Sequence, residues 1–474
     1  MQSNARTSRI VWVLVSVSLA ARLYYAARLP IWFDEMFTQW LARQSPAGIL
    51  RGLRLDSGPP FFYGLENPFV RLAELLGADW MARLPPFAFL AAVSLSAFRR
   101  RASAGPRFLL LTACCPLLFF YSADARAYAP LAAFSFFLFL SAFRSRQGTA
   151  ALIASAFLSA ALPWTHYLGI FVVAGSLMLT AARKNGKSFL AQAIGAGTFA
   201  LWLPSALAQP AASLSWSEES FSASLSGALE KYGFWGSYPG YLSGFRAPWP
   251  QLGAILGLTL ILGSLREVGR RRAIRESLGF AFIPILLAAL FSFWRPIFFT
   301  GRTEMATLPV ALWAFARASR HSRFLKYGIQ IAALAGAAVI LRSFSTPPGE
   351  PPYGLTARFL QARVLPGDAV VAADANYLPI RLLFDRGTLH GTLLGLPAST
   401  QSHPGWFEPG VVENREAEKK KLDAFLFRLR PGSRAYFVIP PDPPLRALAL
   451  PFFRGRRISV VRPNGGDEIV VVDW

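Results

Sequence analysis

Over the first three-quarters of this chain, apolar residues come in long unbroken runs separated by short basic segments. A helix that crosses a bilayer needs about 20 mostly apolar residues. Runs of that kind lie at roughly 10–29, 81–98, 107–122, 128–143, 149–165, 168–182, 189–208, 250–265, 278–294, 304–317 and 325–342. The pattern therefore predicts about eleven transmembrane helices. Residues 59–77 form a twelfth apolar stretch, excluded on two grounds. With the N-terminus in the cytoplasm, eleven spans place "RRRASAGPR", "RSRQG", "ARKNGK", "REVGRRRAIR" and "RASRHSRFLK" all on the inner side, as positive-inside topology requires. An extra span would reverse them. The stretch also carries Glu66, Asn67, Arg71 and Glu74. At helical spacing Phe62, Leu65, Phe69, Leu72 and Leu76 share one face, and Tyr63, Glu66, Asn67 and Glu74 the other. That reads as an amphipathic helix lying at the membrane surface within an external loop, 30–80.

The pattern changes after residue 342. "STPPGEPPYG" reads as a linker over 343–352, by its Pro and Gly content. Beyond it, 353–474 alternates like a small α/β domain. "LTARFLQARVL" and "YLPIRLLFDRG" read as helices, and "DAVVAA" and "RAYFVIP" as strands. "RISVVRPNGGDEIVVVDW" reads as a hairpin closed near Asn464-Gly465-Gly466. An odd number of spans puts this domain outside, together with 30–80 and a second long loop at 209–249.

Composition supports the membrane assignment. The 474 residues are 53 % hydrophobic and only 16 % charged, against roughly 25 % charged in soluble chains. The net charge of +23 lies in short clusters between apolar runs, not in one patch, which argues against nucleic acid as a partner. The two cysteines, Cys114 and Cys115, are adjacent within an apolar run, so no disulfide framework exists. The basic, apolar start reads as a retained first helix.

Against this background the external polar residues stand out. Asp34 and Glu35 sit side by side where the first helix ends. Ionisable groups at that depth are functional candidates first, with a wet interfacial pair as the plain alternative. Asp56 precedes Pro59-Pro60 and could instead cap the helix that follows. Tyr63 follows on that helix. "FYSADARAYAP" places Asp124, Arg126 and Tyr128 at an external junction, where a surface ion pair would contribute little. "PWTHYLGIF" puts His166 and Tyr167 at a hairpin tip, where His166 can donate to a phosphate or sugar oxygen, with a structural histidine as the plain alternative. "FWRPIFFTGRTEMATLP" supplies Arg295, Arg302 and Glu304. Two external arginines run against positive-inside topology; an anion at the outer headgroup level is a good reason for them, with snorkelling to lipid headgroups as the plain alternative. Arg22, inside the first run, reads as snorkelling or as pairing within the bundle.

In order along residues 1–320, these features are an acidic pair after helix 1, "D-x-x-PP-x-x-Y", "YS-x-x-AR-x-YA", "THY" and a late "R…P". The chain thereby resembles membrane glycosyltransferases of the GT-C fold, in the bacterial branch similar to protein O-mannosyltransferases and aminoarabinose transferases. The resemblance implies a mostly helical polytopic protein of a bacterial inner membrane, with a periplasmic C-terminal domain. It implies inverting transfer of a sugar from a polyprenyl-phosphate donor to a glycan, lipid or protein acceptor. Asp34 matches the family's general base and Glu35 the second half of its acidic pair. Arg302, with Arg126 and His166, falls to the donor phosphate. Asp56, Tyr63, Asp124, Tyr128, Tyr167, Arg295 and Glu304 fall to substrate binding. Arg302 is followed by Thr303, where family members often carry Tyr. Relatives differ in metal need. Asp34 and Asp56 are hard oxygen ligands suited to Mg2+ or Mn2+, and the metal is left open.

Two other classes fit the totals. A transporter of lipid-linked sugars would show internal symmetry and paired broken spans, and neither is evident in the sequence. A sensor whose tail binds a partner would tolerate loss of Asp34.

Overall fold

The computed structural model describes residues 2–98, 105–143, 148–209, 221–238, 243, 245–345, 352–373, 376–401, 403–404, 415–439, 449–463 and 468–474. The turn at 464–466, most of the linker, parts of the 209–249 loop and much of the first two basic loops lie outside them. The chain forms two compact bodies. One comprises Met1–Leu29 and Ala42–Pro348, the other Pro30–Leu41 and Gly349–Trp474.

The first body is helical. Each of the eleven apolar segments folds as helix; 81–98 begins in a 3₁₀ turn, Asp79–Arg83, before Leu84–Phe98, and three others are divided. Among the described residues, Arg272–Ser292 and Arg323–Ser345 are long and apolar enough to cross a membrane; 128–142, 149–165, 168–182, 250–265 and 308–318 are shorter apolar helices. Two helices form the centre. In Tyr128–Ala142 every residue except Phe137 is buried, and in Leu308–Ala318 every residue except Arg317. A helix that is apolar all round has no solvent face to offer and packs in the interior.

The 107–122 segment breaks at Cys115-Pro116 into Gly105–Cys114 and Pro116–Tyr121. Pro116 has no N–H to donate to the Thr112 carbonyl. Arg22 takes over that role. Its Nη2 donates to Thr112 O at 2.5 Å and its Nη1 to Leu118 O at 2.8 Å, with the guanidinium over the Phe119 ring. Arg22 therefore pairs within the bundle and does not snorkel. The 189–208 segment is likewise divided, into Gly186–Gly197, a 3₁₀ turn at Thr198–Leu201 and Leu203–Leu207. The 304–317 segment divides into a 3₁₀ turn, Glu304–Ala306, and Leu308–Ala318.

A helix at Phe221–Tyr232, within the second long loop, packs on Pro250–Leu265 at very short range. A Cβ on Gly253 would lie 1.7 Å from Trp235 O, and one on Gly257 2.1 Å from Leu229 O. The Gly-x-x-x-Gly spacing is what lets these backbones touch.

The helix Phe61–Leu76 exists as expected, and its buried side draws on both of the expected faces. Phe62, Tyr63, Glu66, Val70 and Ala73 are buried, and Leu75 and Leu76 are exposed. The side carrying Tyr63 and Glu66 faces the protein, so packing against the bundle, and not polarity alone, sets the orientation.

The second body is a five-stranded mixed sheet with helices. Its strands are β1 (Ala369–Ala373), β2 (Thr392–Leu396), β3 (Arg434–Ile439), β4 (Ile458–Val461) and β5 (Glu468–Asp473). Their spatial order is β2-β1-β3-β5-β4, parallel across β2-β1-β3 and antiparallel across β3-β5-β4. Asp368 ties two strand starts together, accepting from Arg434 N at 2.8 Å and Leu365 N at 2.9 Å. β2 and the helix Arg415–Leu426 are not evident from the sequence pattern. β2 is five residues with Gly395 inside it and Pro397 after it. The helix is so charged that Leu422 and Leu426 are its main fully buried apolar anchors.

Candidate functional site

The polar residues of the first body gather at the N-terminal ends of its two central helices. Tyr128 begins one of them, after the "YSADAR" turn. The segment from Arg295 to Thr307 leads into the other. Neither N-cap, Ala127 or Thr307, makes a side-chain cap. Helix N-termini carry partial positive charge and exposed N–H groups, which favour anions.

Arg302 reaches over this region. Its guanidinium carbon lies 5.7 Å from the centre of the Tyr128 ring and 5.9 Å from that of Phe299. The turn that carries it is built locally. Gly301 adopts φ +84°, which suits glycine, and its N–H donates to Glu304 Oε2 at 2.6 Å. Thr303 Oγ1 accepts from Phe299 N at 3.0 Å. Glu304 is fully buried, so it closes the turn that presents Arg302. Lys231, from the second long loop, packs on the same turn: a Cβ at Gly301 would be 3.7 Å from its Cε. The ammonium donates to Ser237 O and stands 4.6 Å from the centre of the Tyr238 ring.

His166 lies at the junction of 149–165 and 168–182, its ring 5.1 Å from that of Tyr128. Burial, then the Arg126 and Arg302 guanidiniums, lowers its pKa from 6.5 to about 3. The imidazole is therefore neutral at physiological pH. Its Nδ1 accepts from Leu168 N at 3.1 Å. A neutral ring that accepts at Nδ1 carries its proton on Nε2, leaving Nε2–H as a donor. Asp124 is buried, and Arg126 N donates to its backbone oxygen at 2.7 Å. The Asp124 side chain therefore lies in the interior.

The next residue after His166, Tyr167, joins this group to the first loop. Its hydroxyl donates to Gln209 Oε1 at 2.5 Å and accepts from Trp202 Nε1 at 3.1 Å. Gln209 Nε2 in turn donates to Leu53 O at 2.6 Å and Gly58 O at 3.1 Å, on either side of Asp56. Burial pushes the Tyr167 phenol up to about 12, with Asp56 adding to the rise and Arg295 opposing it. Asp56 is buried, and the N-cap position of the helix that begins at Phe61 is Pro60. Tyr63 lies close by: a Cβ at Gly58 would be 3.3 Å from its hydroxyl.

Asp34 and Glu35 belong to the second body. They open the helix Phe33–Ala42, where acidic side chains suit the helix dipole. Glu35 is buried, and Trp32 N donates to its Oε2 at 3.4 Å. Asp34 is partly exposed, and its backbone oxygen accepts from Thr38 Oγ1 at 2.9 Å. The segment is anchored within that body. Tyr353 Oη donates to Ile31 O, and His403 packs against Phe37 and Trp40 at 5.3 and 6.2 Å. Among the described residues, no group of three or more His, Cys, Asp or Glu side chains could hold a metal ion.

The structure adds Lys231, Gln209 and Arg83 to the residues that stand out in the sequence. Arg83 Nη1 donates to Ala26 O and Leu29 O at 2.6 and 2.8 Å, closing the end of the first helix. Lys231 and Arg83 are both basic residues on the side expected to be poor in them, the signal that marks Arg295 and Arg302. Gln209 has no comparable signal.

No protein-family model matches the sequence, and neither does any curated protein. Among solved structures, the chain is similar to ArnT from Cupriavidus metallidurans in the apo state, at 14 % identity and a TM-score of 0.51 over 98 % of each chain. A second structure of that protein, bound to undecaprenyl phosphate, superposes at 0.46 and 16 % identity over 98 % of each chain. The architecture is therefore the GT-C type that the sequence resembles, shared with ArnT at the level of the fold.

Proposed function

We propose that this chain is an integral-membrane glycosyltransferase that takes a sugar from a polyprenyl-phosphate donor. The observation that carries the reading is the convergence of Arg302, Arg126 and the Nε2–H of a neutral His166 at two uncapped central-helix N-termini. Such a group suits a phosphate, and it suits even better the charge that builds on phosphate as a leaving group. Lys231 adds a further positive charge beside the Arg302 turn.

In the proposed reaction an acceptor hydroxyl or amine attacks the anomeric carbon. Asp34 takes the acceptor's proton. The bond from that carbon to the phosphate oxygen breaks, its electron pair stays with the polyprenyl phosphate, and the configuration inverts. A positioned carboxylate base contributes about 10²–10⁴-fold. Glu35 shapes the turn that presents Asp34. Asp56, Tyr63, Asp124, Tyr128, Tyr167 and Arg295 line the sugar and acceptor side, with Gln209 holding the Asp56 loop. The enzyme works in a bacterial inner membrane, N-terminus inside and C-terminal body in the periplasm. The donor's lipid tail explains why its site lies on helix ends.

The test is binding of a radiolabelled polyprenyl-phosphate sugar to detergent-purified wild type and Arg302→Ala. Losing a hydrogen bond to a charged group costs about 1.5–3 kcal/mol, or roughly 10- to 150-fold in affinity. A loss in that range supports the assignment, and unchanged affinity with a folded variant rules it out.

A further inference from the structure

The helix Arg272–Ser292 carries a second cationic region at its other end. Its C-terminal end leads into the loop that bears Arg302. Its N-terminal end lines a cavity of about 310 Å³, together with Arg270, Arg271, Arg317, Arg320 and His321. At 1.5 Å per residue, 21 residues separate the two ends by about 30 Å, so this cavity is no part of the donor site.

Five guanidiniums and an imidazole line it, and no carboxylate does. Arg272 pairs with Glu276 at 2.7 Å, but Glu276 is shared with Arg183 at 3.2 Å. Among the described residues, Arg270, Arg271, Arg317 and Arg320 have no carboxylate within ion-pair distance. Besides desolvation, Arg271, Arg320 and Arg107 hold the His321 imidazole below its ordinary value, opposed only by Glu267. The helix start adds to this field. Its N-cap, Arg271, makes no side-chain cap, and its first turn contains no acid. Topology alone accounts for basic residues on one side of a membrane. It does not account for their convergence on one cavity at an uncapped helix N-terminus, where like charges repel unless an anion offsets them.

We infer that this cavity binds a phosphate mono- or diester anion. Two sources share that chemistry: the headgroup of an anionic phospholipid and a soluble phosphate. The helix Arg323–Ser345 starts two residues after His321, and its Phe324, Tyr327, Ile331 and Leu334 are all more than half exposed at a spacing that keeps them on one side. That apolar stripe beside the cavity favours the lipid.

The experiment is native mass spectrometry of the detergent-purified full chain. It is offered phosphatidylglycerol or phosphatidylcholine, with and without millimolar inorganic phosphate. Wild type is compared with Arg271→Ala/Arg320→Ala and with Arg323→Ala/Lys326→Ala, a pair of equal charge outside the cavity lining. The expected result is retained phosphatidylglycerol, reduced about tenfold or more in the cavity variant by loss of charge-assisted hydrogen bonds and unchanged in the control pair. Displacement of the lipid by inorganic phosphate assigns the same site to a soluble anion. Equal retention by wild type and cavity variant, or equal losses in both double variants, overturns the inference. Arg320→Gln, expected to weaken binding to a lesser degree, serves the same comparison if the double variant does not fold.

Discussion

Acidification probes the donor-phosphate assignment through His166. The folded protein holds this imidazole at about 3, against an ordinary value of 6.5, because it is desolvated and faces Arg126 and Arg302. Between those values the unfolded chain binds a proton that the folded chain does not. The stabilisation from a neutral His166 is therefore complete above about pH 6.5 and is lost as pH falls toward 3. The difference of about 3.5 units, at 1.36 kcal/mol each, gives an upper bound of about 5 kcal/mol. It is an upper bound because the residue is only partly buried. Over the accessible drop from pH 6.5 to 4.5, the effect is at most about 2.7 kcal/mol. His166→Asn removes the titration while leaving a side-chain oxygen to accept from Leu168 N. The assay is thermal unfolding in detergent at pH 7.5 and 4.5 for both proteins, so that other titrating groups cancel. Wild type should lose more stability on acidification than the variant does. Equal acid sensitivity would mean that His166 is not held neutral by its burial and its guanidinium neighbours, and that its Nε2 is not fixed as a donor.

Three further outcomes follow from the packing. Arg22→Met should destabilise the fold by roughly 1–3 kcal/mol, because it strips a donor from the buried Thr112 carbonyl; chemical denaturation reads this directly. Gly257→Ala should cost more than about 2 kcal/mol, since its methyl would meet Leu229 O at 2.1 Å; a melting temperature equal to wild type would show that the close helix contact is wrong. Tyr167→Phe breaks the link from the His166 tip through Gln209 to the Asp56 loop. It should lower kcat/KM for transfer by about fivefold or more, and lower the melting temperature modestly, because the hydroxyl makes two hydrogen bonds worth about 0.5–1.5 kcal/mol each; unchanged kcat/KM would break the proposed link.

How much of the molecule is legible in its sequence depends on what each feature rests on. Apolar runs and isolated external charges are local facts, so the helical segments, Arg302, Arg126, His166 and Asp56 stand out from the sequence by themselves. Tertiary choices do not. Whether Phe61–Leu76 buries its leucines or its Tyr63-Glu66 side depends on what it packs against, and the buried side carries the acid. The break at Pro116 is masked by the apolar residues around it, and the partner that makes it tolerable, Arg22, lies 90 residues earlier than Thr112. Residues 30–41 read as part of an external loop of the membrane domain, yet they pack with the C-terminal body through Tyr353 and His403. No local pattern reports contacts more than 300 residues apart. β2, short and carrying a glycine, offers too little alternation to be seen.

The central claim is that Asp34 acts as the base in sugar transfer from a polyprenyl-phosphate donor. Its most direct test is the turnover rate of wild type and Asp34→Asn in membranes supplied with a panel of radiolabelled polyprenyl-phosphate sugars, each protein checked for unchanged thermal unfolding. The account predicts transfer from at least one donor by wild type, and a fall of about 10²-fold or more in the variant. An Asp34→Asn protein that transfers sugar at the wild-type rate would contradict it.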